Sequence, residues 1–357
     1  MINPHLAAWL IQHAEDLNTG VSAHSLALLK QLGQADIFRH GVPIALGGLG
    51  DRFEDAIESI AELAEYSLTA AFVAWSQRTY IEYLLSPQQD HDSKRLQALR
   101  LQQLLNGDYA GATGLSNAMK FLSGLETLNV QATTTEDGWQ LNGHLPWVTN
   151  LHPQGFSVAV AADSDQGPLL FLVPSNRDGF ERLADLDLIA LRGSATAAAQ
   201  LHQVQVSAHE LLSAQATDYL AEIRPAFMAL QCGLAIGLIK RSIKQVQQKK
   251  NAALIHDQIQ YLQQQLAQSL KALYQGLATG VFKTQASGLF QIRIGLSELT
   301  QQAIQLELCS AGGKCYLRPY EEGFSRRLKE AAFIPIVTPS VLQLKTELSR
   351  RSAQLVH

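Results

Sequence analysis

The chain has 357 residues, of which 46% are hydrophobic and 17% charged, with three cysteines. That composition excludes a disulfide-stapled miniprotein and a disordered tail, and it is enough for two or three domains around a real core. A formal net charge of −4 excludes a basic footprint for nucleic acid.

Residues 1–10 contain His5 and no basic run, and His13, Glu15 and Asp16 follow, so no secretory or transit leader is read there. From Asn3 to about Gly107 the period is helical. Phe53, Ile57, Ile60, Ala64, Leu68 and Ala71 recur on one face, Leu46-Gly47-Gly48-Leu49-Gly50 breaks the chain before them, and Asp51 is the expected N-cap. Ser86-Pro87 is expected to end a helix, with a charged helix following to Leu105. From Ala110 to about Val206 the pattern becomes β. Leu128–Thr133 alternates, Glu136-Asp137-Gly138 turns and Trp139–Gly143 returns, which is a hairpin signal. Phe156–Ala162 and Leu169–Pro174 are short apolar strands, and Ala199–Val206 alternates.

From about Ser213 the helical period resumes. Ile259, Leu262, Leu266, Leu270 and Leu273 form one stripe, and Ile292, Leu296, Leu299, Ala303 and Leu306 another. Four long amphipathic helices in series predict a bundle. The most apolar stretch, Phe227–Ile239, is too short to span a bilayer and contains Gln231, Gly233 and Gly237. A soluble, cytoplasmic protein without membrane or nucleic-acid partners is expected. Cys232, Cys309 and Cys315 show no CxxC spacing and read as reduced structural thiols, and the scattered histidines give no metal motif. The fold class expected is α+β, mostly α: an N-terminal helical domain (1–108), a small β-barrel or sandwich (109–208) and a C-terminal four-helix bundle (209–357).

That order, together with a series of landmarks, resembles the acyl-CoA dehydrogenase family over roughly Phe38 to Leu348. The landmarks are Gly41-Val42-Pro43 with Gly47-Gly48-Leu49-Gly50, Gly107-Asp108 with Gly111-Ala112-Thr113-Gly114, Asp137–Gly143 with Pro146-Trp147-Val148-Thr149-Asn150, Leu191–Thr196, Arg224-Pro225, and Ala311-Gly312-Gly313. The resemblance implies FAD, an acyl thioester substrate oxidised at a CH–CH bond, an electron-transfer protein or flavin reductase as redox partner, and a homodimer or homotetramer built on the bundle.

It also assigns roles. Trp147 and Thr149 would lie against the flavin ring, with the Thr149 hydroxyl donating toward N5. Thr113, Leu115 and Ser116 would contact flavin or thioester. Ser194 and Thr196 would hold substrate, and Arg224, at the opening of the first bundle helix, would sit near the active site. Gly312 and Gly313 would meet the diphosphate of the neighbouring subunit's FAD. Two departures stand out. The family's catalytic Glu falls at Thr338, whose hydroxyl is no base near neutrality, and Glu222 is a secondary candidate for that role. The family's diphosphate-anchoring Arg-Phe-Gly run is missing, leaving Lys250 as a point charge without the bidentate fork. Weaker FAD binding is expected, as is the alternative of a monooxygenase using reduced flavin (FAD or FMN) and O2, or of a non-catalytic flavin- or acyl-CoA-binding homologue.

Overall fold

A computed structural model describes residues 2–85, 100–250, 252–317 and 323–354. Four helices open the chain: α1 (Pro4–Thr19), α2 (Ser22–Gln34), α3 (Phe53–Tyr66) and α4 (Leu68–Leu85). Asn3 starts α1 by accepting the Leu6 N–H at 2.8 Å. The buried face of α3 holds Ala56, Ile57, Ile60 and Ala64, as its period predicts. Asp51 is not its N-cap. Arg52 takes that position, with its N–H held by Asp55 at 2.9 Å. Asp51 instead turns back to the preceding loop, accepting the Gly41 N–H and lying against His40 Nδ1, both at 2.6 Å. These two donors hold its carboxyl below the usual range despite the opposing pull of burial. Helix α4 is buried nearly all round, which is why its sequence shows no stripe. The expected break at Ser86-Pro87 lies outside the described residues, and residues 100–105 are helical.

Two four-stranded sheets follow. One runs in the order β1 (Ala110–Thr113), β4 (Phe156–Ala162), β5 (Leu169–Pro174), β8 (Leu211–Ser213). The other runs β2 (Val130–Thr135), β3 (Gly138–Val148), β7 (Ala197–Val206), β6 (Phe180–Asp185). The predicted hairpin is β2–β3, closing with Thr135 opposite Gly138. Strands β4 and β5 are buried at every position, so they read as apolar runs rather than alternations. Helix α5 (Ser116–Leu122) follows β1 directly.

The C-terminal part is α6 (Ala216–Gln247), α7 (His256–Thr279), α8 (Ala286–Ala311), α9 (Phe324–Phe333) and α10 (Val341–Gln354). Three helices are long. The expected fourth is split into α9 and α10, because Pro335 and Pro339 interrupt the helical run between them. Helix α6 is longer than the sequence suggests. It starts at Ala216, so Arg224-Pro225 lies inside it and not at its opening. Of the described helices, α6 alone is long and apolar enough to cross a bilayer, but 83% of its most apolar window is buried within the chain. Gly233 and Gly237 let it press against α3: a Cβ on Gly237 would stand 2.1 Å from the Ala61 carbonyl oxygen. The architecture is α+β and mostly helical.

Candidate functional site

The helices, the sheets and the 333–338 segment meet around a cavity of about 330 Å³. Five residues singled out by sequence line it: Thr113, Ser116, Trp147, Thr149 and Thr338. They come from three separate parts of the chain. Trp147 stands near the end of β3, where the pairing with β7 shifts register between Leu145 and Val148. Thr149 follows the strand, and Asn150 closes the turn with φ 66°. The bulge and turn bring both side chains to the cavity.

The opposite wall is aromatic. Phe72 and Trp75 of α4 stack at 5.4 Å with their planes 1° apart. Phe333 meets Phe72 edge-on at 4.9 Å, and Phe227 of α6 meets Trp75 at 5.2 Å. The Trp75 indole donates to the Phe227 carbonyl at 3.2 Å, so the polar end of this wall is satisfied. No Asp, Glu or His is among the described residues lining the cavity. Lys120 brings its one charge, and its ammonium lies 2.7 Å from Glu126.

A chain of hydroxyls runs behind Thr149. Ser194 Oγ donates to the Leu191 carbonyl at 2.6 Å, and its single proton is thereby used. Thr196 must then donate to Ser194, at 2.7 Å, and Thr149 to Thr196, at 3.2 Å. The last link is the longest, so Thr149 presents lone pairs to the cavity and gives up only a weak bond if a ligand claims its proton. This modifies the expectation of a simple donor. Ser194 and Thr196 are 0% and 1% exposed and are not among the residues lining the cavity; they stand behind Thr149 and orient its hydroxyl. Thr113 is likewise backed by a buried phenol, Tyr83, 2.8 Å away, whose pKa burial drives far up, keeping it protonated.

The 334–338 segment is held from beneath. Gln231 Nε2 donates to the Thr338 carbonyl at 2.9 Å, and Arg293 Nη2 donates to the Ile334 carbonyl at 2.7 Å. Arg293 Nε also donates to Gln231 Oε1 at 2.9 Å. Arg293 is 1% exposed, and burial lowers its pKa. Sequence reasoning missed this pair and the aromatic wall. The available signals were a Gln inside the most apolar stretch of the chain and an Arg inside a leucine stripe.

The remaining expected residues stand elsewhere. Leu115 is fully buried ahead of α5. Arg224 is also buried; its Nη1 donates to Glu347 of α10 at 3.0 and 3.3 Å, and its guanidinium lies 4.9 Å over Phe290. It therefore belongs to an internal ion pair. Glu222 lines a different cavity, beside Phe53 and Tyr219, with its carboxylate 3.3 Å from Lys283. It cannot act on a group bound against Trp147. Lys250 is exposed in the turn after α6. Gly312 and Gly313 are exposed, with open space where a side chain would stand, and Gly312 has φ 64°.

Thr149→Val keeps the shape and removes the hydroxyl. Thr196 then loses only an incoming bond, so a stability cost of about 0.5–1.5 kcal/mol is expected. A bound flavin should meanwhile show a shifted absorption spectrum. An unchanged spectrum in a flavin-loaded Val variant would remove Thr149 from the ring's surroundings.

No family model matches the chain. It is 25% identical over 190 residues to the mitochondrial isovaleryl-CoA dehydrogenase of Solanum tuberosum, covering 52% of this chain and 45% of that enzyme. The chain thus spans under half the length of that relative. A longer match, 22% identical, covers 91% of this chain and 88% of the probable acyl-CoA dehydrogenase YngJ of Bacillus subtilis (strain 168). Among solved structures, glutaryl-coenzyme A dehydrogenase in complex with glutaryl-CoA superposes with a TM-score of 0.79 at 15% identity, over 96% of this chain and 92% of that one. KijD3 in complex with FMN and a dTDP-linked amino-keto sugar superposes with a TM-score of 0.74 at 17% identity, over 98% and 91%.

Proposed function

We propose that this chain, which is acyl-CoA dehydrogenase-like in family and fold, is a flavoprotein oxidoreductase acting in the cavity between Trp147 and the α4 aromatics. An acyl thioester is the proposed substrate class. The observation that supports this reading is the convergence of Thr113, Ser116, Trp147, Thr149 and Thr338 on one cavity. The residues fit a flat, mostly apolar ring with polar edges: aromatic walls on two sides and hydroxyls at the margin. FAD is the proposed cofactor, and when bound it supplies hydride acceptance at its ring.

The chain's own residues do the rest. Trp147, 41% exposed, offers a broad apolar face. Thr149 and Thr113 place oriented hydroxyls at the edge. Phe72, Trp75, Phe227 and Phe333 exclude water from the reacting side. None of them takes a proton. Removal of an α-proton from a thioester by a carboxylate of this chain is therefore disfavoured, since Thr338 stands at the expected position and Glu222 lies in another cavity. That observation favours a second reading, oxygenation using reduced flavin and O2, which needs no such base. FAD or FMN supplied by a flavin reductase would then serve, with an electron-transfer protein as redox partner under the first reading. Cytoplasmic location belongs to the same proposal.

The absorption spectrum of the purified protein, with and without added FAD, is the decisive test. Flavin bleaching by acyl-CoA in the absence of O2 supports dehydrogenation. Retention of flavin only in its reduced form supports oxygenation. A protein that takes up neither form has lost the redox function.

A homodimer or homotetramer is also proposed. Tyr261 of α7 and Leu328 of α9 are 51% and 42% exposed and line an open groove with Ile304 and Leu306 of α8, which leaves the bundle with an uncovered apolar face. Lys250, Gly312 and Gly313 are proposed to reach a cofactor shared across that contact. Sedimentation should give at least a dimer at micromolar concentration, and a monomer there would sink the proposal.

A further inference from the structure

We infer that His13, Asp16 and His24 form a binding site for a divalent transition metal at the corner between α1 and α2, independent of the cavity described above. His13 and Asp16 share a face of α1, three residues apart. His24 joins them because α2 folds back across the Thr19–Val21 turn. The linear spacing therefore gives no motif, and the triad exists only in the folded chain.

The donor atoms are close enough together for one cation to bridge them. His13 Nδ1 lies 3.2 Å, and His24 Nδ1 3.0 Å, from the same oxygen, Asp16 Oδ2. One donor atom from each residue lies within 4.8 Å of the other two. Ligands bonded tetrahedrally at 2.0–2.1 Å stand about 3.3 Å apart, so both measured distances match edges of such a tetrahedron. The two imidazoles are stacked, with centroids 3.8 Å apart and planes inclined by 33°, and Trp9 packs against both, so one ring swings outward when both nitrogens bind a single ion. The His24 Nδ1 atom is shielded from solvent yet makes no aligned hydrogen bond, although a carboxylate oxygen is 3.0 Å away. A buried imidazole nitrogen without an aligned partner is free to take a cation that the adjacent carboxylate also binds.

Two imidazole nitrogens and one carboxylate oxygen favour Zn2+, Co2+, Ni2+ or Cu2+ over Mg2+ or Ca2+. Side-chain exposures of 14%, 29% and 40% for His13, His24 and Asp16 leave an outer position open to water. Metal here would staple α1 to α2 and stabilise the native chain in proportion to occupancy. The competing account is two plain imidazole–carboxylate contacts packed under Trp9, with no affinity for metal.

The test uses the full, tag-free chain after chelator treatment, titrated with Zn2+ by calorimetry and with Co2+ by visible absorption. One Zn2+ per chain is expected, with a rise in melting temperature. Ni2+ or Cu2+ should quench the Trp9 component of the fluorescence, and Trp9→Phe should remove that component. His24→Ala and Asp16→Asn should each weaken Zn2+ binding at least about tenfold, since even losing an outer partner of a ligand costs that much. His209→Ala, at an exposed position elsewhere, should leave it unchanged. Because the three side chains are partly exposed, circular dichroism should show both variants folded; if one is not, the other carries the comparison. No binding by the wild type at micromolar free Zn2+, or equal binding by a folded His24→Ala or Asp16→Asn chain, overturns the inference.

Discussion

Thr338→Glu is expected to raise acyl-CoA-dependent flavin bleaching by about a hundredfold or more, the scale on which a positioned base contributes. The wild-type cavity has hydroxyls, aromatic rings and one paired lysine, but no carboxylate among its described lining residues. Thr338 borders Val337 and the exposed Ile336, and its carbonyl is fixed by Gln231. A Glu there keeps the backbone anchor and adds a carboxylate facing the aromatic wall. Desolvation by Phe72, Phe227 and Phe333 lifts its pKa above the ordinary value near 4.3. The bleaching rate should therefore rise with pH through that raised value. Stability has the opposite sign. The native state binds the new proton more tightly than the unfolded chain, so stability falls as pH rises from about 4.3 to the raised pKa and is level above it. A cost of about 1–3 kcal/mol at neutral pH is expected for a partly exposed site. The measurement is stopped-flow bleaching across pH with FAD-loaded protein, beside denaturant melts at two pH values. A variant that binds FAD and acyl-CoA and does not bleach faster means that the pocket serves other chemistry, and the oxygenase reading moves ahead.

What the sequence discloses and what it hides follow from the kind of signal each part carries. The β2–β3 hairpin was legible because its turn and alternation are local; Trp147 and Thr149 were legible as a pair from their motif, but β3 ends at Val148, and the bulge and turn that bring both to the cavity show only in the fold. Helix α4 and the interior of α6 were hidden in detail: a helix buried on every side has no polar face to set its phase. The start of α6 was misjudged because Pro225 reads as a first-turn residue, although the helix already extends back to Ala216. Arg224 was misjudged with it, since its partner Glu347 is 123 positions away. The Thr149–Thr196–Ser194 chain was half legible. The residues were named, but only the fold shows that two of them serve the third. Helix α9 was the hardest. Its Ser-Arg-Arg-Leu-Lys-Glu run yields no reading from sequence, and Arg326, Arg327 and Glu330 are buried. Glu330 accepts the Leu68 N–H at 3.1 Å, where α4 begins, and Arg326 at 2.9 Å. A carboxylate there suits the positive end of α4.

Arg327→Met is expected to be the most destabilising of the substitutions considered, by about 3–5 kcal/mol. Arg327 and Glu307 have 1% and 2% of their side-chain surface exposed, so neither charge is solvated by water. The guanidinium grips the carboxylate through two nitrogens: Nη2 binds Glu307 Oε1, and Nε reaches Oε2 at 3.3 Å. This two-point contact ties α9 to α8. Removing the arginine strands a carboxylate in the interior, with the electrostatic pull of Arg241 left to offset it in part. Replacing both residues, Arg327→Met with Glu307→Leu, removes the stranded charge and should recover most of the loss, because apolar pairs of similar volume replace buried ion pairs at little cost. Equilibrium denaturation of the two single variants and the double variant gives the coupling directly. The effect should also reach the cavity. Helix α9 ends at Phe333, which packs edge-on against Phe72, so the single variant should bind FAD more weakly than the double. A loss below about 1 kcal/mol in Arg327→Met would mean that the pair behaves like a surface ion pair, and the anchoring of the aromatic wall would have to come from Glu330 and Arg293 instead.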